Sequence, residues 1–116
     1  MKDNLGNHLP LSPATLHTML ALVDGDKHGY AIMQEVARLA DGQFKLGPGT
    51  LYDGLARLME KGLVLEVPAT EEADKRRRYY RLTPAGMKVV AAEVKRLEGV
   101  LAEAKRSLQA VKIRRA

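Results

Sequence analysis

From Ser12 onward the apolar residues of this chain fall at helical spacing, then alternate, then return to helical spacing. Leu16, Met19, Leu20 and Val23 recur every three or four positions behind Ser12-Pro13, a capping residue followed by a proline whose missing N–H is harmless at the first helical position. A first helix is expected from there to Asp24-Gly25. A second should begin near His28-Gly29-Tyr30 and bury Ile32, Met33, Val36 and Leu39 before Asp41-Gly42 ends it. The third spans Pro48 to Lys61, with Leu51, Leu55, Leu58 and Met59 on one face and Thr50, Asp53, Gly54, Arg57 and Lys61 on the other. Gly62-Leu63 has the pattern of a C-terminal cap with its hydrophobic contact.

Leu63 to Val67 and the alternating run Arg77 to Leu82 read as two antiparallel strands joined by a polar loop, Pro68 to Asp74. Thr83-Pro84 repeats the cap-plus-proline signature and opens a last helix. There Met87, Val90, Val94, Leu97, Leu101, Ala104, Leu108 and Val111 alternate steps of three and four, the seam of a left-handed coiled coil. From Pro84 to about Lys112 such a helix would be roughly 40 Å long. That is too long to lie wholly on so small a globule, so a second chain is expected along it. The expected fold class is α+β, mostly α: a winged helix-turn-helix with a long C-terminal dimerisation helix. Its expected parts are a flexible N-terminal arm (1–11), a DNA-binding domain (12–83) and a dimerisation helix with a basic tail (84–116).

At 116 residues the chain has length for one core and one protruding element. Its 19 Lys and Arg against 14 Asp and Glu, formally +5, point to a polyanionic partner, either nucleic acid or an acidic membrane surface. With 0 cysteines, disulfides, a thiolate nucleophile and Cys-based zinc sites are excluded. Asp3 and Asn4 stand where a secretory signal needs an apolar core, and no stretch approaches the ~20 apolar residues of a membrane span. A soluble, cytoplasmic protein with no membrane partner is expected.

Within that frame the third helix is the recognition element, with its first turn facing base edges in a major groove. Thr50 and Tyr52 sit there, and the amides around Gly47, Gly49 and Thr50 favour phosphate oxygens. Tyr52 has a second reading, packing its ring beside Leu51 and Leu55. Arg57 and Lys61 suit phosphate contacts, or form an ordinary solvated face. Lys75, Arg76, Arg77 and Arg78 make a cationic run on the wing. Because strand side chains alternate, Arg77, Tyr79 and Arg81 share one face while Arg78, Tyr80 and Leu82 share the other, where Tyr80 and Leu82 pack. Phosphate contact is expected of Lys75, Arg76 and Arg77, and His28 and Tyr30 are placed at the edge of the DNA surface. Glu71, Glu72 and Asp74 at the wing tip would be repelled by phosphate, so the tip either bends away or screens its own arginines.

Other chemistries find little. His8, His17 and His28 lack carboxylates at ligand spacing, so no metal site is expected. Ser12 and Ser107 have no His-Asp pairing, and Gly47 to Gly49 lacks the Lys-Ser/Thr ending of a P-loop. Neither enzyme activity nor a cofactor is expected.

Taken in order, His28-Gly29-Tyr30, Pro48-Gly49-Thr50-Leu51-Tyr52, Leu58 through Gly62-Leu63-Val64, and Arg78-Tyr79-Tyr80-Arg81-Leu82-Thr83 with Ala85-Gly86 resemble the PadR family of bacterial transcriptional regulators. The resemblance covers most of Leu11 to Gly86 and is closest to the branch with one C-terminal helix. It implies a homodimeric repressor of a palindromic operator, released by a small aromatic or hydrophobic effector near the dimer interface. With 0 Trp and Phe44 the one Phe, the aromatic drug sandwich of some members has no counterpart. Two rival classes are a winged-helix protein-interaction adaptor and a non-specific nucleic-acid-binding protein; binding to one palindrome ~10³-fold above random duplex separates the regulator from both.

Overall fold

The computed structural model describes residues 5–69 and 77–115. Ser12 caps as its position dictates, its hydroxyl accepting from the Thr15 N–H at 3.2 Å, and helix α1 runs Pro13–Ala21. A two-residue strand β1 (Lys27–His28) leads straight into α2 (Gly29–Leu39), with His28 as N-cap. Then come α3 (Pro48–Glu60), β2 (Val64–Val67), β3 (Tyr79–Leu82) and α4 (Pro84–Arg115). α3 ends in the expected Schellman pattern: Leu63 N–H donates to the Leu58 carbonyl at 2.9 Å and Gly62 N–H to Met59 at 3.1 Å, with Gly62 at φ 72°.

The sheet has three antiparallel strands in the order β1-β3-β2, with Lys27 opposite Tyr80 and Val64 opposite Leu82. β1 was not anticipated. Lys27-His28 is polar and too short to alternate, so by pattern it belongs to the turn between two helices; pairing with β3 makes it a strand. The core forms where the three helices meet the sheet: Met19, Ile32, Val36, Leu51, Leu55 and Leu58 pack with Val64 and Tyr80. Each such side chain contributes about 1.5–3 kcal/mol of burial free energy. Tyr80 and Leu82 point inward as alternation required, and burial pushes the Tyr80 phenol pKa up, with Glu66 adding to it.

Three expectations change. Leu39 is 42% exposed, because it is the last residue of α2, where the stripe has already left the core. Val90, placed in the intermolecular seam, is 6% exposed and packs with Val89 in the chain's own core. The described part of the expected loose arm folds back: Leu5–His8 forms a 3-10 turn, and Leu5, Leu9 and Leu11 pack against the core. The leucines outweigh the polar composition that suggested an arm.

Glu93 of α4 fastens that segment. Only 1% exposed, it accepts from Leu11 N–H at 2.8 Å and from Arg96 Nε at 2.5 Å and Nη2 at 3.1 Å. The Arg96 hydrogen bonds hold its carboxyl below the ordinary glutamate value, against the opposing effect of burial. The start of α4 is fixed as firmly. Thr83 N–H donates to the Leu63 carbonyl at 3.0 Å, and the Thr83 hydroxyl donates to the Gly62 carbonyl at 2.8 Å while accepting from Gly86 N–H at 3.0 Å. Glycine at 86 is required by close approach, since a methyl there would lie 2.2 Å from the Leu63 carbonyl oxygen. Beyond this joint α4 leaves the globule, and every residue from Val94 to Arg115 is exposed.

Candidate nucleic-acid interface

Gly47 caps α3 without a side-chain hydrogen bond, Pro48 has no N–H to offer, and the first helical bond is Leu51 N–H to the Gly47 carbonyl at 3.0 Å. The amides of Gly49 and Thr50 therefore have no partner within the helix and open on an exposed turn, the polarity that favours an anion. The side chains of this turn divide. Thr50 and Arg57, one and three turns along one side of α3, line a small groove against Ser12 and Thr15 of α1. Tyr52 leans the other way, toward α2 and the wing.

On that second side His28, Gly29, Tyr30, Tyr52, Arg77, Arg78 and Tyr80 line an open cleft of about 500 Å³. Tyr30 and Tyr52 are 63% and 47% exposed, so the Tyr52 ring is not buried beside Leu51 and Leu55. Its hydroxyl lies over Gly29: a methyl placed there would meet Tyr52 Oη at 2.2 Å and Cζ at 2.8 Å. Glycine in His28-Gly29-Tyr30 is thus the floor on which Tyr52 rests.

His28 joins the helices to the wing. Its Nδ1 lies 3.2 Å from Ala31 N–H, its Nε2 lies 2.8 Å from Arg77 Nη1, and its ring meets Tyr79 edge-on at 5.4 Å. A neutral imidazole carries one N–H and cannot accept at both nitrogens, so it cannot satisfy the Ala31 amide and the Arg77 guanidinium together. Arg81 of β3 is held by a bidentate pair with Asp26 at 2.9 Å, which lowers the Asp26 pKa and pins β3 to the turn before β1.

The structure therefore gathers His28, Tyr30, Tyr52 and Arg77 in one cleft and sets Gly49, Thr50 and Arg57 beside it. Lys61 is the C-cap of α3, about 16 Å along the helix from Thr50. Lys75, Arg76 and the acidic tip Glu71, Glu72 and Asp74 lie outside the described residues. Ser12, Thr15 and Arg78 were missed. Ser12 was read only as a helix cap, Thr15 was not singled out, and Arg78, which alternation sets on the face of Tyr80 and Leu82, is exposed at the cleft rim. Among the described residues no His, Asp and Glu group could hold a metal, and no helix is long and apolar enough to cross a membrane.

Three helices, a small antiparallel sheet and an exposed helix start flanked by arginines define a winged helix-turn-helix protein. Residues 3–92 match the transcriptional regulator PadR-like family, and the chain belongs to it. The family is one of regulators rather than enzymes. Over 88 residues the chain is 33% identical to the transcriptional regulator Rv3488 of Mycobacterium tuberculosis, covering 76% of this chain and 78% of that protein. It is 41% identical over 80 residues, 69% of this chain, to an uncharacterised 37.1 kDa protein in transposon TN4556 of Streptomyces fradiae, of whose length it spans 21%. A PadR family transcription regulator of Clostridium difficile R20291 shares the fold, with a TM-score of 0.74 at 24% identity over 84% of this chain and 99% of the other.

Proposed function

We propose that this DNA-binding regulator is a homodimeric repressor reading an inverted-repeat operator, each copy setting the first turn of α3 into a major groove. One observation carries the reading: the exposed amides of Gly49 and Thr50 at the start of α3 lie between two sets of cations, Arg77 and Arg78 at the Tyr52 cleft on one side and Arg57 two turns further along on the other. Amides and arginines meet phosphates, which position the helix; Thr50 and Tyr52 are the side chains within reach of base edges.

Pairing of copies is assigned to α4, whose exposed Val94, Leu97, Leu101, Leu108 and Val111 have no cover from their own chain. Met87 is also exposed, and Ala104 lies on the same stripe. Sequencing genomic fragments retained by the purified protein tests the reading, with enrichment of one inverted repeat as the expected result. Retention of duplex without sequence preference would instead make it an architectural protein, and no retention at low salt would make it an adaptor. Leu101→Glu should yield monomers in sedimentation and abolish operator binding at concentrations where wild type is saturated.

A further inference from the structure

We infer that the groove between α1 and α3 is a second seat for DNA, holding one backbone phosphate over Gly54 between the Arg57 guanidinium and the hydroxyls of Thr15 and Thr50. The inference rests on the DNA-binding reading and adds to it α1 and a glycine of α3.

Gly54 lies inside α3, where glycine is less favourable than any residue but proline. The fold does not ask for it. Its backbone is ordinary helix, and a methyl built there would meet nothing within 4 Å beyond its own helix. Gly29 and Gly86 differ, since a methyl at either runs into Tyr52 or the Leu63 carbonyl. The room left at position 54 is therefore room for a group from outside the chain.

The walls of that room select the group. Thr50, Gly54 and Arg57, at steps of four and three, form one side of α3 and face Ser12 and Thr15 across a groove of about 50 Å³. A water takes roughly 30 Å³ of its liquid, so the groove admits the paired oxygens of a phosphate and is too small for a base. No carboxylate lines it; Asp53, beside Gly54 in the chain, stands outside. Arg57 follows Asp53 by four residues and precedes Glu60 by three, ion-pair spacing on a helix, yet among the described residues it pairs with neither. Its charge is left for an anion.

The hydroxyls are set as donors. Ser12 Oγ accepts from Thr15 N–H at 3.2 Å and donates to Thr15 Oγ1 at 2.9 Å, so the Thr15 hydroxyl, already accepting, keeps its hydrogen for a further acceptor. The Thr50 hydroxyl has no partner among the described residues. Thr18, deeper in the wall, is spent on the Ala14 carbonyl at 2.8 Å. One guanidinium and two hydroxyls around a floor without a side chain suit a phosphodiester. Position agrees with chemistry, because a helix in a major groove has a sugar-phosphate backbone along each flank. The Tyr52 cleft, with Arg77 and Arg78, serves one flank, and this groove serves the other.

Gly54→Ala tests the seat through two readouts of opposite sign. Its melting temperature should rise by about 3–6 °C, as expected when alanine replaces an interior helical glycine in a chain of this size. Its affinity for the selected operator, by fluorescence anisotropy, should fall roughly tenfold as the methyl takes the place of the phosphate. Thr15→Val keeps the shape and the Ser12 cap but removes the donor, and should cost about fivefold. In an Arg57→Ala background, where the main holder of the phosphate is gone, Gly54→Ala should cost no more than about twofold. A stabilised Gly54→Ala that binds as tightly as wild type would overturn the seat, and so would a tenfold loss undiminished in the Arg57→Ala background. A destabilised Gly54→Ala would return the glycine to the fold and overturn it equally. Wild-type protein that retains no duplex at low salt would bring down the DNA-binding reading itself, a result distinct from these.

Discussion

Gly29→Ala offers a sharp test of the cleft, because the added methyl reaches the proposed DNA surface only through Tyr52. At 2.2 Å from Oη and 2.8 Å from Cζ it stands more than 1 Å inside ordinary contact, and the tyrosine, half exposed, is the part free to move. Swinging the ring off its rotamer costs about 0.5–1.5 kcal/mol. Removing glycine from the first position of α2 returns roughly 0.4–1 kcal/mol through the unfolded chain. Stability should therefore change by less than about 1 kcal/mol, while the tyrosine hydroxyl leaves its place. If that hydroxyl hydrogen-bonds a base edge, the loss is about 1 kcal/mol, roughly fivefold in affinity. Fluorescence anisotropy on the selected operator at fixed salt should show this for both Gly29→Ala and Tyr52→Ala. In the Tyr52→Ala background Gly29→Ala should then be silent. Additive losses in the double variant, or full affinity in Gly29→Ala beside a weakened Tyr52→Ala, would refute the reasoning.

Arg57→Ala and Arg77→Ala should each flatten the plot of log affinity against log salt by about 0.9, read from titrations at several salt concentrations, and an unchanged slope would take that arginine off the phosphate. Because the folded Glu93 carboxyl titrates below its ordinary value near 4.5, its contribution to stability is present above that value and lost as pH falls through it and below. Glu93→Gln should thus lower stability at neutral pH and flatten its decline in acid, measured by denaturant unfolding from pH 7 to 3; an unaltered acid limb would contradict the clasp. Gly86→Ala must displace a backbone carbonyl rather than a mobile side chain, so a loss of about 1–3 kcal/mol is expected in thermal unfolding. A shift under ~0.5 kcal/mol would mean the joint is slack.

Periodicity and caps carried most of the fold. Ser12-Pro13, the Gly62-Leu63 ending and the inward alternation of Tyr80 and Leu82 are local rules, and the chain obeys them. What escaped was set by tertiary partners. β1 exists only because β3 is beside it, and Val90 keeps seam spacing while belonging to another core. At the candidate interface the exposed start of α3 was legible because a helix start after Gly-Pro-Gly is a local feature. The cleft was not: His28, Tyr52 and Arg77 are far apart in the chain, and nothing in their spacing says that Tyr52 rests on Gly29 or that His28 meets the wing.

The fastening of Thr83 and Gly86 onto Gly62 and Leu63 gives the molecule a rigid elbow. Because α3 ends only at Glu60, the long arm and the proposed groove-reading helix are welded through a few residues rather than strung on a linker. In the proposed dimer any rotation of one arm against its twin becomes an equal tilt of α3, and a change of a few degrees in how two arms cross suffices to move both copies of that helix out of step with the duplex.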